Sequence, residues 1–451
     1  MKQALIGIGS GLVAGGLALT LLFLGPLRVP EPEPTPVAQE EVSPEPTEST
    51  EPEPEPTVEP CSVKDLEEDP LVLSLQAQVI NPVTGEVLFD RSSDVAARPA
   101  SVQKLLVAAA ALEVLGTNYR VITRVYQDRT DPGTIYFVGA GDPTLSRLTG
   151  DKQSVYRNAP KLEQLAALVN RSLGGQKVTR IVLDSSLFGG PTGEYQSVWD
   201  QRGLTDGYMS YVSALQVDGD RDNPAALSSK RSTEPVQRAG DWFKRALGAG
   251  AASAKLEIGT AALDAREIAQ ISSRPISEWI SYMLRVSDNT LSESLARIIS
   301  LDLGLDGSFS SLTTAVRLAL KDTGLDLSQI QLEDGSGLSR YNQIPPSLVN
   351  QLLLKVSQGF SNWGLIQDSL PVAGESGSLS ARFESMPGKV WAKTGWIRTG
   401  YTLAGYLQTP QNERLIFTVY NLGDSVTGEN REAMDRLVQG FAECGLALAD
   451  R

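Results

Sequence analysis

Apolar and polar positions divide this chain into stretches of different kinds. Residues 4–25 form one apolar run of about 22 residues without a charge, long enough to cross a bilayer as a helix. Residues 30–60 alternate Pro with Glu and hold too few apolar side chains to build a core. From residue 73 the pattern becomes that of a folded protein. Alternation predicts a strand over 73–80, a turn at Asn81-Pro82-Val83-Thr84-Gly85 and a return strand over 86–90. Residues 101–115 predict a helix that Gly116 ends. Its Ala108–Ala111 block has no polar side, so this helix is buried all round. A serine and a lysine at the start of such a helix need a reason.

Between 119 and 265 the character changes. Short strands (135–139, 181–184), one helix (161–172) and Gly-rich loops read as an inserted module. A helical stretch over 275–301 follows, then further helices through residue 355. Strands at 390–393, 402–408 and 415–421 precede a last helix over 428–446. Strands at both ends with helices between them predict an α/β (α+β) fold. One antiparallel sheet drawn from both ends stands beside an all-helical half. The expected organisation is a domain of 61–118 and 266–451 interrupted by the inserted domain 119–265.

Composition changes this picture mainly at the N-terminal end. The formal net charge is −14, but ten glutamates lie between Glu31 and Glu59. Without residues 1–60 the remainder carries only about −6, which leaves no nucleic-acid footprint. Lys2 precedes the apolar run and no small-x-small cleavage site closes it, so 1–27 reads as a membrane anchor, single-pass, rather than a cleaved signal segment. Either way the rest is exported: membrane-bound outside the cytoplasm in the first case, secreted in the second. Residues 28–60 read as an extended spacer with a reach on the order of 90 Å. The two cysteines, Cys61 and Cys444, open and close the folded region. In an exported chain they suggest one disulfide; two buried free thiols are the alternative.

The chain contains no histidine, so no Ser-His-Asp or Cys-His mechanism is available to it. It does contain a single Ser-x-x-Lys (Ser101 to Lys104), a single Ser-x-Asn (Ser287 to Asn289) and a single Lys-Thr-Gly (Lys393-Thr394-Gly395), in that order. On a helix, residues three apart share a face, so Ser101 and Lys104 point into one cleft. The first turn's free N–H groups and positive dipole end favour an alkoxide there. Lys104 takes a proton only when neutral. Burial beside a second cation, expected to be Lys393, would depress its pKa. Ser287 suits a proton relay, Asn289 a ligand for the substrate amide and for Lys104, and Thr394 a hydroxyl for a substrate carboxylate. Gly395 admits the substrate backbone, and the N–H of Trp396 completes an oxyanion hole with that of Ser101. Each triplet alone is common on protein surfaces; together, singly and in order, they indicate serine–lysine acyl transfer. None of them calls for a metal or cofactor.

These residues resemble the low-molecular-mass class C penicillin-binding proteins, the D-alanyl-D-alanine carboxypeptidase/endopeptidases of the penicillin-binding-protein-4 type. The likeness runs from about residue 73 to 446. It includes Arg98-Pro99-Ala100-Ser101, Gly139-Ala140-Gly141-Asp142-Pro143-Thr144-Leu145, Ser213-Ala214-Leu215 and Glu293 four residues after Asn289. It also includes Asp334-Gly335-Ser336-Gly337-Leu338-Ser339-Arg340 and Leu370-Pro371-Val372-Ala373-Gly374. The resemblance implies a penicillin-recognising serine-transferase (β-lactamase-like) fold, with an insertion after the nucleophile helix. It implies peptidoglycan stem peptides as substrate and β-lactams as inhibitors. By position it makes Ser101 the nucleophile and Lys104 the base, with Ser287, Asn289 and Lys393 in the second and third elements.

Two departures stand out. Trp396 occupies a place where the family usually has Thr or Ser, which removes a carboxylate-binding hydroxyl. Strand alternation puts Arg398 on the face of Thr394 and Trp396, as a replacement or as a solvent-facing side chain. The insertion is also shorter than in the fullest family members. Two other readings stay open at this level. A non-catalytic wall-binding or sensor protein of the same fold is kept alive by Trp396. A class A β-lactamase is disfavoured because no Glu-x-x-Leu-Asn lies between the second and third motifs.

Overall fold

The computed structural model describes residues 60–449. The apolar run and the Pro-Glu stretch lie outside the described residues, and so does any anchor. Among the described residues no helix is long and apolar enough to cross a membrane.

After a single helical turn at Lys64–Glu67 comes a hairpin, β1 (Ser74–Ile80) and β2 (Val87–Arg91). A 3-10 turn over Ala100–Gln103 then runs into helix α1 (Lys104–Val114). The chain next builds a second sheet from β3 (Ile122–Gln127), β4 (Thr134–Val138), β5 (Arg180–Asp184), β6 (Lys255–Ile258) and β7 (Arg266–Ser272). Helices α2 (Leu162–Leu173) and α3 (Pro235–Leu247) belong to the same stretch. Helices α4 (Ile276–Val286), α5 (Asn289–Asp302), α6 (Leu312–Leu320) and α7 (Pro346–Ser357) follow. Strands β8 (Val390–Ile397), β9 (Gly400–Gln408) and β10 (Arg414–Leu422) and helix α8 (Gly428–Cys444) finish it.

The first sheet has the order β2-β1-β10-β9-β8 and is antiparallel throughout, so the first and last strands of the described residues share one sheet. Strand β10 is buried on both faces beyond its first residue. On one side Ile416 and Tyr420 join α1, α4, α5 and α7 in one core; on the other Phe417 and Val419 pack with Leu437 and Phe441 of α8. Residues 104–112 of α1 are all buried, as the Ala-rich pattern requires. The second sheet, ordered β6-β5-β4-β3-β7, is mixed: β4, β5 and β6 run parallel and β3 antiparallel to both neighbours. Helix α2 covers it with Leu162, Leu165, Ala166, Val169 and Leu173, and Phe137 stacks on Phe243 of α3 at 4.2 Å. This sheet closes with β7, seven residues past the boundary expected at 265, because β7 pairs with β3.

The helical stretch expected over 275–301 is two helices. Ser287 adopts a left-handed conformation (φ 62°) and Asp288 an extended one. Asp288 caps α5 by accepting from the N–H of Leu291 at 2.9 Å, which makes the break a helix start rather than a kink. Cys61 and Cys444 form a disulfide with Cα atoms 5.4 Å apart.

Candidate active site

Three short elements meet in one cleft. The first is the turn that leads into α1. Ala100 takes a positive φ (45°), and this sharp entry brings the Ser101 hydroxyl and N–H to the head of the helix. The turn is hemmed in by two glycines. A Cβ on Gly337 would run into the Ala100 carbonyl, and one on Gly395 would lie 2.9 Å from the Ser101 nitrogen. The backbone therefore approaches the nucleophile from both sides.

Lys104 is wholly buried, and its Nζ stands 2.9 Å from Ser101 Oγ. The amine also donates to Asn289 Oδ1 at 2.8 Å and to the Ser336 carbonyl at 2.5 Å. Burial lowers its pKa to about 8, against the pull of Asp334, Glu293 and Asp288, which favour the ammonium. Asn289 is fixed at its other end, where Nδ2 donates to the Tyr208 carbonyl at 2.9 Å. Lys393, also fully buried, donates to Ser287 Oγ at 2.9 Å and to the Thr394 carbonyl at 2.6 Å. Burial first, and Lys104 second, push Lys393 well below the ordinary range. The two buried amines each disfavour the ammonium form of the other, while three carboxylates lend support to the charge of Lys104.

Strand β8 is the edge of its sheet. The Val390 carbonyl accepts from Ala373 N–H at 2.9 Å, and Ala392 N–H donates to the Pro371 carbonyl at 3.1 Å, so both face outward. The period of two carries that direction to Thr394 and Trp396. The Trp396 N–H therefore faces the open edge that lies against Ser101. The Trp396 side chain is half exposed in the cleft. Thr394 Oγ1 is paired with Ser378 Oγ at 2.6 Å. Arg398 departs from expectation: β8 ends at Ile397, so Arg398 sits in the turn to β9 and strand alternation does not place it. Its exposed side chain donates to Asp200 Oδ2 at 3.2 Å, and both line the cleft.

The cleft has a volume of about 1160 Å³ and is lined by Ser101, Ser287, Asn289, Thr394, Gly395, Trp396 and Arg398 among others. Sequence reasoning placed Glu293 and Asp334 in motifs without giving them work. Glu293, fully buried, accepts from the N–H groups of Gly335 and Ser336 at 3.0 and 2.8 Å. Asp334 accepts from Trp199 Nε1, Gly337 N–H and Ser339 N–H at 2.7, 2.8 and 2.6 Å. Together they hold the loop whose Ser336 carbonyl meets Lys104. Ser378 carried no sequence signal beyond being a serine.

A family model described as the D-Ala-D-Ala carboxypeptidase 3 (S13) family matches residues 62–230 and 220–441, nearly the whole folded region. The chain belongs to that family. It is 32% identical over 386 residues to a carboxypeptidase of Mycobacterium tuberculosis, covering 84% of this chain and 82% of the relative. It is 31% identical over 379 residues to carboxypeptidase DacB of Mycolicibacterium smegmatis, covering 82% and 81%. Penicillin-binding protein 4 of Haemophilus influenzae shares the fold, with a TM-score of 0.70 at 20% identity over 83% of this chain and 98% of that one. The protein is thus a serine-type D-Ala-D-Ala carboxypeptidase with the penicillin-recognising fold, and its substrate is peptidoglycan.

Proposed function

We propose that this carboxypeptidase works through an acyl-Ser101 intermediate. Neutral Lys104 takes the Ser101 proton as Oγ attacks the carbonyl carbon of the penultimate D-alanine. The N–H groups of Ser101 and Trp396 receive the oxyanion. The C–N bond then breaks, and the leaving D-alanine nitrogen gains its proton from the Lys104 ammonium by way of Ser287. Water attacks the acyl-serine, again with Lys104 as base, which frees the shortened stem and restores Ser101. Lys393 and Asn289 keep Ser287 and the Lys104 amine in register. Thr394 and Arg398 sit where the terminal carboxylate of the substrate would lie. β-Lactams would acylate the same hydroxyl.

The observation that carries this reading is the 2.9 Å approach of the Lys104 amine to the Ser101 hydroxyl, inside a cleft reached by both other motifs. The volume of that cleft supports a second substrate form, the cross-linked stem, whose cleavage breaks the same D-alanyl bond with a larger leaving amine. The apolar run at 4–25 supports a membrane-anchored, extracytoplasmic setting.

The test is incubation of the protein with a pentapeptide stem and mass measurement of tetrapeptide and D-alanine. Release should occur, and Ser101→Ala should abolish both release and covalent labelling by a fluorescent penicillin. Full labelling of Ser101→Ala would sink the assignment.

A further inference from the structure

The second motif is held from behind by the insertion. Asp288 lies between Ser287 and Asn289, and its side chain turns away from the cleft. Its Oδ1 caps α5, and its Oδ2 accepts from Arg221 Nη2 at 2.8 Å and from Tyr156 Oη at 3.2 Å. Arg221 Nη1 in turn donates to Tyr156 Oη at 2.8 Å and to the Asp218 carbonyl at 3.2 Å, so the three side chains form a closed triangle tied to the insertion backbone. Arg221 and Asp288 are each only 3% exposed. Burial alone would raise the Asp288 carboxyl, yet Arg221, the Leu291 N–H and Arg231 hold it below its ordinary value, so it stays an anion.

Other contacts from the insertion reach the same site. The Tyr208 carbonyl holds Asn289, Ser210 Oγ meets Thr290 Oγ1 at 3.2 Å, and Trp199 holds Asp334 under the Ser336 loop. The Ser287 backbone is left-handed, a conformation that a non-glycine residue keeps only when its surroundings impose it. A buried charge-assisted pair immediately next to it is the strongest such constraint available.

We propose that Arg221 and Tyr156 are positioning residues of the catalytic site: by holding Asp288 they set Ser287 against Lys393 and Asn289 against Lys104. The insertion is on this view part of the acylation apparatus, and a change at Arg221, which does not line the cleft, reaches the chemistry. The inference rests on the roles given above to Ser287 and Asn289.

The test compares second-order acylation rates by a fluorescent penicillin, per folded molecule, in the full chain. Arg221→Met should slow acylation by about a hundredfold, the scale of a small misplacement of reacting groups. The neutral pair Arg221→Gln with Asp288→Asn should recover at least tenfold of that loss. Asn still caps α5, and its amide can donate to the Gln carbonyl. A purely structural pair would lower the thermal midpoint and leave the rate per folded molecule unchanged. A wild-type rate in Arg221→Met, or a double variant no faster than Arg221→Met, overturns the proposal. If Arg221→Met does not fold, Tyr156→Phe decides: it removes one hydroxyl and should still slow acylation severalfold, and a wild-type rate there overturns the proposal. Ser101→Ala, run in parallel, separates the two readings, since labelling that survives in it defeats the mechanism and not the clamp.

Discussion

The amine of Lys104 lies 2.5 Å from the backbone carbonyl of Ser336, closer than its 2.9 Å approach to the Ser101 hydroxyl. A carbonyl accepts from an ammonium and from a neutral amine alike, so this contact fixes the position of Nζ through the whole proton cycle. With Asn289 as a second acceptor, it leaves the nitrogen lone pair of the neutral form to face Ser101.

The first expectation concerns pH. Burial puts the Lys104 pKa at about 8. The lysine acts as a base only when neutral, and the neutral fraction grows as pH rises through that value. Acylation by a β-lactam should therefore rise with pH and level off above an inflection near 8. A rate already flat from pH 6 upward would remove Lys104 from the base role.

Glu293 tunes that inflection. Its carboxylate favours the Lys104 ammonium, and in Glu293→Gln that charge is gone while Oε1 still accepts from the Ser336 N–H. The inflection should move to lower pH by on the order of one pH unit. Burial, with Asp334 second, raises the Glu293 pKa to about 7, so below that pH the carboxyl of the unaltered protein takes up a proton and the two profiles should converge. Profiles that coincide from pH 7 to 9 would show that Glu293 acts on loop geometry alone.

Much of this site was legible in the chain because spacing along a helix is a strong geometric statement. Ser101 and Lys104 share a face whatever the rest of the protein does. The two lysines, Ser287 and Asn289 were legible as members of ordered triplets. The helix break at Ser287 was not. Apolar residues continue at helical spacing from Ile276 through Leu301, and the Asp288 cap that starts α5 is itself held by residues 67 and 132 positions away. The Ser336 carbonyl was invisible because a backbone atom leaves no side-chain signature. Arg398 lines the cleft with Thr394 and Trp396, but from the turn after β8 and not by strand alternation. The carboxylates that support the Lys104 charge left no signal because Asp288, Glu293 and Asp334 come from separated parts of the chain.

The disulfide should matter for stability and little for chemistry. Cys444 lies at the far end of α8 from Arg431, which lines the cleft, and thirteen helical residues span about 20 Å. Removing the cross-link with Cys61→Ser and Cys444→Ser releases a very long loop in the unfolded chain, at a cost of about 2–5 kcal/mol. Thermal or denaturant unfolding should show that loss, while penicillin labelling of the folded fraction stays at its original rate. A large fall in labelling would mean that α8 carries strain to the cleft.

The last expectation follows from Trp396. An indole here replaces a hydroxyl that would bind the substrate carboxylate, yet Thr394 Oγ1 still has a hydroxyl partner 2.6 Å away in Ser378. Two hydroxyls at that separation suit the two oxygens of one carboxylate, and Ser378 and Thr394 both line the cleft with Arg398. Ser378→Ala should therefore raise KM for a stem ending in a free carboxylate by about tenfold, the value of one hydrogen bond to a charged group. The turnover rate at saturation should change much less, because this contact exists before and during the reaction. The same variant should treat a stem ending in a carboxamide as the unaltered protein does. An equal loss on both substrates would show that Ser378 supports the wall of the cleft rather than the terminal carboxylate.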